Sequence, residues 1–250
     1  MSAKANLIEI RGLQKRFNGE PVLRGLDLDV QRGERLVIIG RSGGGKTLLL
    51  KHIIGLMRPD AGSILVDGIE ITTCTEHAMD QLRLRFGMLF QEAALFDSMN
   101  VFQNVAFALV EHSKLGGEAI RARARESLAL VGLSSIDEKW PDELSGGMRK
   151  RVGLARALAI QPEIMLYDEP TSGVDPMMGR EINQLICDLS ERLGVTSLIV
   201  THDIDSALAV GDRIALLEGG IIVAQGTPEE LKREQHPVAQ EFMRKHRGAS

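Results

Sequence analysis

The chain has little that would tie it to an oxidising compartment or embed it in a membrane. It carries two cysteines in 250 residues, Cys74 and Cys187, far apart and without metal-ligand spacing. They read as reduced thiols of a cytoplasmic protein, so neither a disulfide framework nor a zinc module is expected. No run of about 18 apolar residues occurs, so no transmembrane helix is encoded. The start, MSAKANLIEIRGL, is too short and too charged to read as a signal peptide. Aromatics are only 4%, and the charge balance is acidic, −4 with a pI near 5.9. A nucleic-acid binder ordinarily carries a basic face; no nucleic-acid partner is expected. What is present is an ordinary globular composition, 44% apolar and 26% charged, long enough for one large lobe or two smaller ones.

Short apolar runs alternate with helical patterns, which argues an α/β fold. Residues 7–11 and 26–30 read as half-exposed strands, with Leu26, Leu28 and Val30 alternating with Asp27 and Asp29. Residues 35–39 and 86–90 are continuous apolar runs of buried-strand type. Residues 47–57 read as a helix, and residues 63–71 as a hairpin around Asp67-Gly68. From about 99 to 160 the pattern is helical, broken at Gly116-Gly117, Gly132 and Trp140-Pro141. Strands return at 163–168, 196–200, 212–217 and 220–225. The charged stretch 228–250 reads as one or two surface helices with a loose end.

Several motifs sit on this framework. Gly40-Arg41-Ser42-Gly43-Gly44-Gly45-Lys46-Thr47 follows a strand and opens a helix, the context a phosphate loop requires. Glycines let backbone N–H groups turn toward phosphate oxygens, and the helix start adds partial positive charge. Lys46 is expected to reach the β- and γ-phosphates and Thr47 to ligate Mg²⁺, with Leu48 next on the helix. The run Ile164 to Tyr167 delivers Asp168 and Glu169, the first to hold Mg²⁺ through water, the second to polarise the attacking water. Gln91 could join the Mg²⁺ shell, and His202 could contact the γ-phosphate; each is weak alone. In LSGGMRKRVGLARAL, residues 144–158, Ser145 suits a helix N-cap, and Gly146 and Gly147 bare the backbone for a phosphate. Met148, Val152, Ala155 and Ala159 share one helical face, with Arg149, Lys150 and Arg156 elsewhere. This second phosphate element, remote from the first, points to a machine that closes on ATP as a pair.

The order of phosphate loop, Gln91, LSGG, Asp168-Glu169, Ser172-Gly173-Val174-Asp175 and His202 resembles the nucleotide-binding subunit of ATP-binding cassette (ABC) transporters over about residues 7–234. The resemblance implies a RecA-like P-loop core with an antiparallel β subdomain (about 1–92 and 160–234), a helical subdomain (about 93–159) and a tail (235–250), together one ABC ATPase domain. It implies ATP and Mg²⁺ as cofactors and adenine stacking by Phe17. It implies a head-to-tail homodimer in which Ser145, Gly146, Gly147 and Asp175 serve the nucleotide of the other copy. Lys46, Gln91, Glu169 and His202 become the catalytic set, with Thr47, Gln91 and Asp168 around the metal.

Residues 88–113, MLFQEAALFDSMNVFQNVAFALVEHS, resemble ATPases of bacterial phospholipid transporters that act with MCE-domain proteins, including the Mla-type system for outer-membrane lipid asymmetry. That implies transmembrane permease subunits, an MCE-domain lipid-binding partner, a small STAS-type cytoplasmic subunit and a peripheral place on the cytoplasmic face of the bacterial inner membrane. Leu95, Phe96, Met99 and Val101 are the apolar candidates for gripping the permease. Met148 stands where most such ATPases have Gln, Thr47-Leu48 replace a frequent Ser-Thr pair, and Val174 replaces a common Leu. None removes a catalytic group. A small-solute importer of amino-acid or methionine type shares every catalytic motif, although methionine importers carry a C-terminal regulatory domain that this length is expected to exclude. A soluble cassette acting on nucleic acid or ribosomes usually carries a long insertion or a second cassette, and a binding-only module would lack Glu169 or His202.

Overall fold

The computed structural model describes residues 5–234, 236–237 and 239–241. The chain groups into two units, one formed up to Arg83 and again from Val195, the other by Leu84–Gly194.

The first unit opens with β1 (Asn6–Phe17) and β2 (Glu20–Gln31), an antiparallel hairpin closed at Asn18-Gly19. Both turn residues have positive φ, +51° and +84°, which matches the twist of a two-residue hairpin. The strands outrun the expected 7–11 and 26–30. Arg11, Gln14, Lys15 and Arg16 interrupt the apolar alternation, and shifts in register between Ile10 and Gln14 carry the pairing past them. Next come β3 (Arg35–Ile39), α1 (Lys46–Ile53), β4 (Ala61–Val66), β5 (Ile69–Glu70) and α2 (Glu76–Arg83). Helix α1 stops four residues before the expected 57, because Gly55 takes φ +69° and turns the chain. Helix α2 escaped the sequence reading because it buries only Met79 and Leu82.

The second unit holds β6 (Phe86–Leu89), α3 (Val101–His112), α4 (Gly117–Leu130), α5 (Gly146–Leu158), β7 (Ile164–Asp168) and α6 (Pro176–Leu193). Strands β6 and β7 are parallel, in register from Phe86↔Ile164 to Leu89↔Tyr167. Helices α3, α4 and α5 pack together around Val105, Leu109, Ala124, Leu128, Val152 and Ala155. Asn100 and Gln103 form a reciprocal capping box at the start of α3. Asp175, with Pro176 behind it, starts α6, and Gly194 at φ +65° ends it.

The chain then returns to the first unit through β8 (Thr196–Thr201), α7 (Ile204–Val210), β9 (Arg213–Glu218), β10 (Ile221–Gly226) and α8 (Pro228–Leu231). Strand β3 lies between β8 and β9, parallel to both, and β10 pairs antiparallel with β9. Each parallel strand is apolar on both faces, as a doubly covered sheet demands. Glu34, just before β3, takes two bonds from Arg213, at 2.7 and 3.2 Å, and a third from the Gln31 N–H. This pair, with Glu34 buried and Arg213 half-buried, ties the entrance of β3 to β9. Of the stretch expected to hold surface helices, α8 is one short helix, and most of 235–250 lies outside the described residues.

His52 is buried on α1. Its Nδ1 bonds the Leu48 carbonyl at 2.7 Å, and its Nε2 has no hydrogen-bond partner among the described residues. Burial lowers its pKa, only partly opposed by the Leu48 carbonyl and Asp60, and Lys15 pushes the same way. The unfolded chain therefore takes up the proton first, as pH falls through about 6.5, and stability is lost from there down to the lower folded pKa. The wild-type melting temperature should fall more between about pH 7.5 and about pH 5.5 than that of His52→Leu. Parallel pH profiles for the two proteins would contradict this.

Candidate functional site

The glycine loop leaves the end of β3 under tight packing. A Cβ on Gly40 would lie 2.5 Å from the Leu217 carbonyl oxygen, so β9 admits no side chain there. Gly43 and Gly45 take φ +77° and +95°, a left-handed backbone that disfavours side chains. The Arg41 carbonyl accepts the Gly44 N–H at 3.0 Å, and a Cβ on Gly44 would stand 2.9 Å from that same oxygen. Lys46 is buried, and its Nζ donates to the carbonyls of Gly40 at 2.9 Å and Arg41 at 3.2 Å. The ammonium thus sits inside the curl of the loop. No side chain caps α1 at Gly45. Arg41, Ser42 and Gly43 are exposed, and Thr47 and Leu48 are half-buried. A cradle that only glycine fits, a buried ammonium and a helix start are the donor set for a nucleotide phosphate.

The register of β3 and β8 places His202. Ile39 pairs with Thr201, so Gly40 and His202 are the next residues on two parallel strands leaving one sheet edge together. Asp203 accepts the Asp205 N–H at 3.1 Å and starts α7, which turns the chain immediately after the histidine. Phe17 is exposed at the end of β1, with Lys15 Nζ 5.8 Å from its ring centroid.

In the second unit, parallel pairing does the same for the acidic pair. Leu89 opposes Tyr167, so Gln91 follows one strand end and Asp168-Glu169 the other. Asp168 and Glu169 are buried, Glu169 being 8% exposed at φ +46°. A non-glycine residue in that region costs about 1–3 kcal/mol and persists only where its surroundings hold it. Its carbonyl accepts the Ser172 N–H at 3.1 Å. Ser145 caps α5 by accepting the Met148 N–H at 3.3 Å. Gly146 faces open space, with no atom within 4 Å of a Cβ built on it. Gly147 is buried against Met178 of α6, one turn beyond Asp175. The Asp175 carboxylate accepts the N–H groups of Met177 and Met178, both at 3.0 Å, so it also serves as a helix cap.

Two cations on α5 went unrecognised in the sequence. Lys150 is 6% exposed and donates to the Gln91 carbonyl and, at 3.4 Å, to the Glu169 carbonyl. Burial lowers its pKa against the opposing fields of Glu92, Asp168 and Glu169. Arg156 donates to the carbonyls of Ala94 at 2.7 Å and Ala93 at 2.8 Å, and lies 5.6 Å from the Phe96 ring centroid. Burial lowers its pKa also. Helical spacing held the signal for Lys150, since Gly147, Leu154 and Ala157 lie three, four and seven positions from it and are all buried.

The expected apolar grip needs one correction. Val101 is 0% exposed and belongs to the core, because the first turn of α3 points it inward. Phe96 is 41% exposed and stacks on Phe107 at 4.9 Å, while Leu95 and Met99 are half-buried. Val110 of α3 is 60% exposed, an apolar surface residue that the sequence reading missed.

Comparison with known proteins places the fold and the family. The family model described as ABC transporter matches residues 23–172. The chain is 44% identical over 236 residues to the "Probable ribonucleotide transport ATP-binding protein mkl" of Mycobacterium leprae, covering 94% of this chain and 68% of that one. It is 40% identical over 244 residues to the "Methionine import ATP-binding protein MetN" of Carboxydothermus hydrogenoformans, covering 95% and 71%. The chain thus spans about two thirds of the length of these relatives. Its fold matches a dimeric post-hydrolysis state of the ATP-binding cassette MJ0796 bound to ADP and Pi, with TM-score 0.81 and 32% identity over 88% of this chain and 98% of that one. The α/β P-loop cassette fold is therefore shown.

The atoms nearest to a Cβ on Gly147 are those of the flexible Met178 side chain, at 2.6–2.9 Å. Gly147→Ala should cost about 1 kcal/mol and lower the melting temperature by about 2–4 °C. A drop beyond about 10 °C in calorimetry would show that Met178 has no room to move.

Proposed function

The chain belongs to the ABC transporter family, and we propose that it is the ATP-hydrolysing subunit that drives a membrane permease. The observation carrying this is the pairing of two parallel strand ends in each unit. One pair offers the glycine loop with Lys46 beside His202, and the other offers Gln91 beside buried Asp168 and Glu169. ATP and Mg²⁺ are the nucleotide and metal of this family, and the donor sets above fit them. Lys46 and the loop amides hold the β- and γ-phosphates. Thr47, Gln91 and, through water, Asp168 hold Mg²⁺, which would supply charge neutralisation at the phosphates. Glu169 orients and polarises the attacking water, His202 contacts the γ-phosphate, and Phe17 stacks on adenine.

Ser145, Gly146 and Gly147 serve the nucleotide of a second copy, and Asp175 reports across the same interface. Two features support this: Gly146 opens to free space, and the fold-matched MJ0796 cassette is dimeric. The whole chain acts as one ABC ATPase domain. No helix among the described residues is long and apolar enough to cross a membrane. We place the protein peripherally, bound to permease subunits at the cytoplasmic face of a bacterial inner membrane. Binding of ATP by two copies draws them together, and hydrolysis releases them, a ligand-driven shift between two states.

For the cargo we propose phospholipid, moved with an MCE-domain partner and a STAS-type subunit. What supports it is the resemblance of the sequence of residues 88–113 to lipid-transporter ATPases; exposed Phe96, Phe107 and Val110 would form the apolar grip for a permease of either kind. Import of a small solute is the second reading, and the relatives favour it more than they favour lipid, being named for ribonucleotide transport and methionine import.

Glu169→Gln should retain ATP binding, accumulate the closed dimer in size-exclusion chromatography and lose about 100-fold or more in steady-state phosphate release. A rate near wild type would sink the assignment of the water-polarising group. Purification of the native complex in detergent tests the cargo. Co-purifying phospholipid and an MCE-domain subunit are expected, whereas a soluble solute-binding protein that stimulates the ATPase with its solute decides for import.

A further inference from the structure

We propose that Lys150 is a positioning residue that fastens the turn carrying Gln91 to the backbone of Glu169. The proposal rests on the reading that Gln91 and Glu169 serve ATP hydrolysis. One ammonium, buried on α5, reaches two carbonyls that follow two different strands: that of Gln91 after β6 and that of Glu169 after β7. Both places are strained. Ala93 and Ala94 take φ +61° and +49° just beyond Gln91, and Glu169 takes +46°. Left-handed backbone at non-glycine residues persists only when something else holds it. Lys150 holds the start of the 91–94 turn and Arg156, further along the same helix, holds its end through the carbonyls of Ala93 and Ala94.

The chemistry suits lysine in particular. An ammonium has three donors on a compact centre at the end of a flexible stem, so it can bridge two carbonyls lying in different directions. Burying it costs desolvation, offset locally by Glu92, Asp168 and Glu169. An apolar residue of similar length fills the space without bridging, and arginine keeps the charge but places its donors in a rigid plane, which suits the neighbouring carbonyls that Arg156 takes rather than carbonyls of two separate strands. Because α5 begins at Ser145 and Gly146, the fastening joins the helix that carries the second phosphate element to both catalytic strand ends.

Hydrogen exchange on the nucleotide-free full chain, combined with kinetics, tests this. In Lys150→Met, the amides of Ala93, which bonds the Phe90 carbonyl, and of Phe96, which bonds Asn104, should exchange about tenfold faster, with residues 36–39 unchanged. Its kcat should fall about tenfold or more while KM and the dissociation constant of a fluorescent ATP analogue stay within about threefold. Lys150→Arg should recover part of both changes. A Lys150→Met kcat within about twofold of wild type overturns the proposal, as does a loss matched by equally weakened nucleotide binding and exchange accelerated throughout the chain. If Lys150→Met does not fold, Lys150→Arg decides. Faster exchange at Ala93 and Phe96 with reduced kcat supports the fastening, and unchanged exchange overturns it. A wild-type chain that releases no phosphate would instead sink the ATPase reading, while the nucleotide-free exchange still reports on Lys150.

Discussion

Parallel strand register is the constraint on which the rest of the structure depends. When Ile39 pairs with Thr201, the residues that follow emerge side by side, so Gly40 and His202 leave neighbouring strand ends together. The pairing of Leu89 with Tyr167 does the same for Gln91 and Asp168-Glu169. In strands buried on both faces, a one-residue shift would move every side chain into the opposite side of the core, where the close packing is shaped for other residues. Chemistry placed at strand ends is thereby fixed by the most cooperative part of the fold.

The groups at those ends are costly to keep. Lys46, Lys150, Asp168 and Glu169 are all buried and charged or chargeable, and Glu169 adds backbone strain. Three of them have ties to backbone: Lys46 to two carbonyls of its own loop, Lys150 to two carbonyls of other elements, and Glu169 through its carbonyl to Ser172 and Lys150. Backbone ties of this kind fix where a group sits before any ligand arrives.

Much of this was legible in the residues. The runs at 35–39, 86–90 and 196–200 fell within a residue or so of β3, β6 and β8, because a short, mostly apolar run bounded by polar or glycine residues fits a buried strand. The glycine loop was legible because its backbone demands glycine at Gly40, Gly43 and Gly45. Three things were hidden. The β1–β2 hairpin ran on through charged residues because bulges reset its alternation. Helix α2 carried too few apolar residues to show a stripe. Lys150 and Arg156 looked like surface cations, since one sequence does not show that a carbonyl waits at the end of each side chain. The cargo stayed beyond reach for a different reason: the exposed apolar side chains of residues 88–113, Phe96, Phe107 and Val110, suit a permease of either class, so the lipid reading leans on the resemblance of that sequence alone.

The central claim, that two copies of this chain close on ATP–Mg²⁺ and hydrolyse it, is tested most directly by phosphate release measured across a series of protein concentrations. The account predicts release that requires Mg²⁺ and a specific activity that rises with protein concentration as copies pair. No release at any concentration, or release undiminished after chelation of the metal, would contradict it.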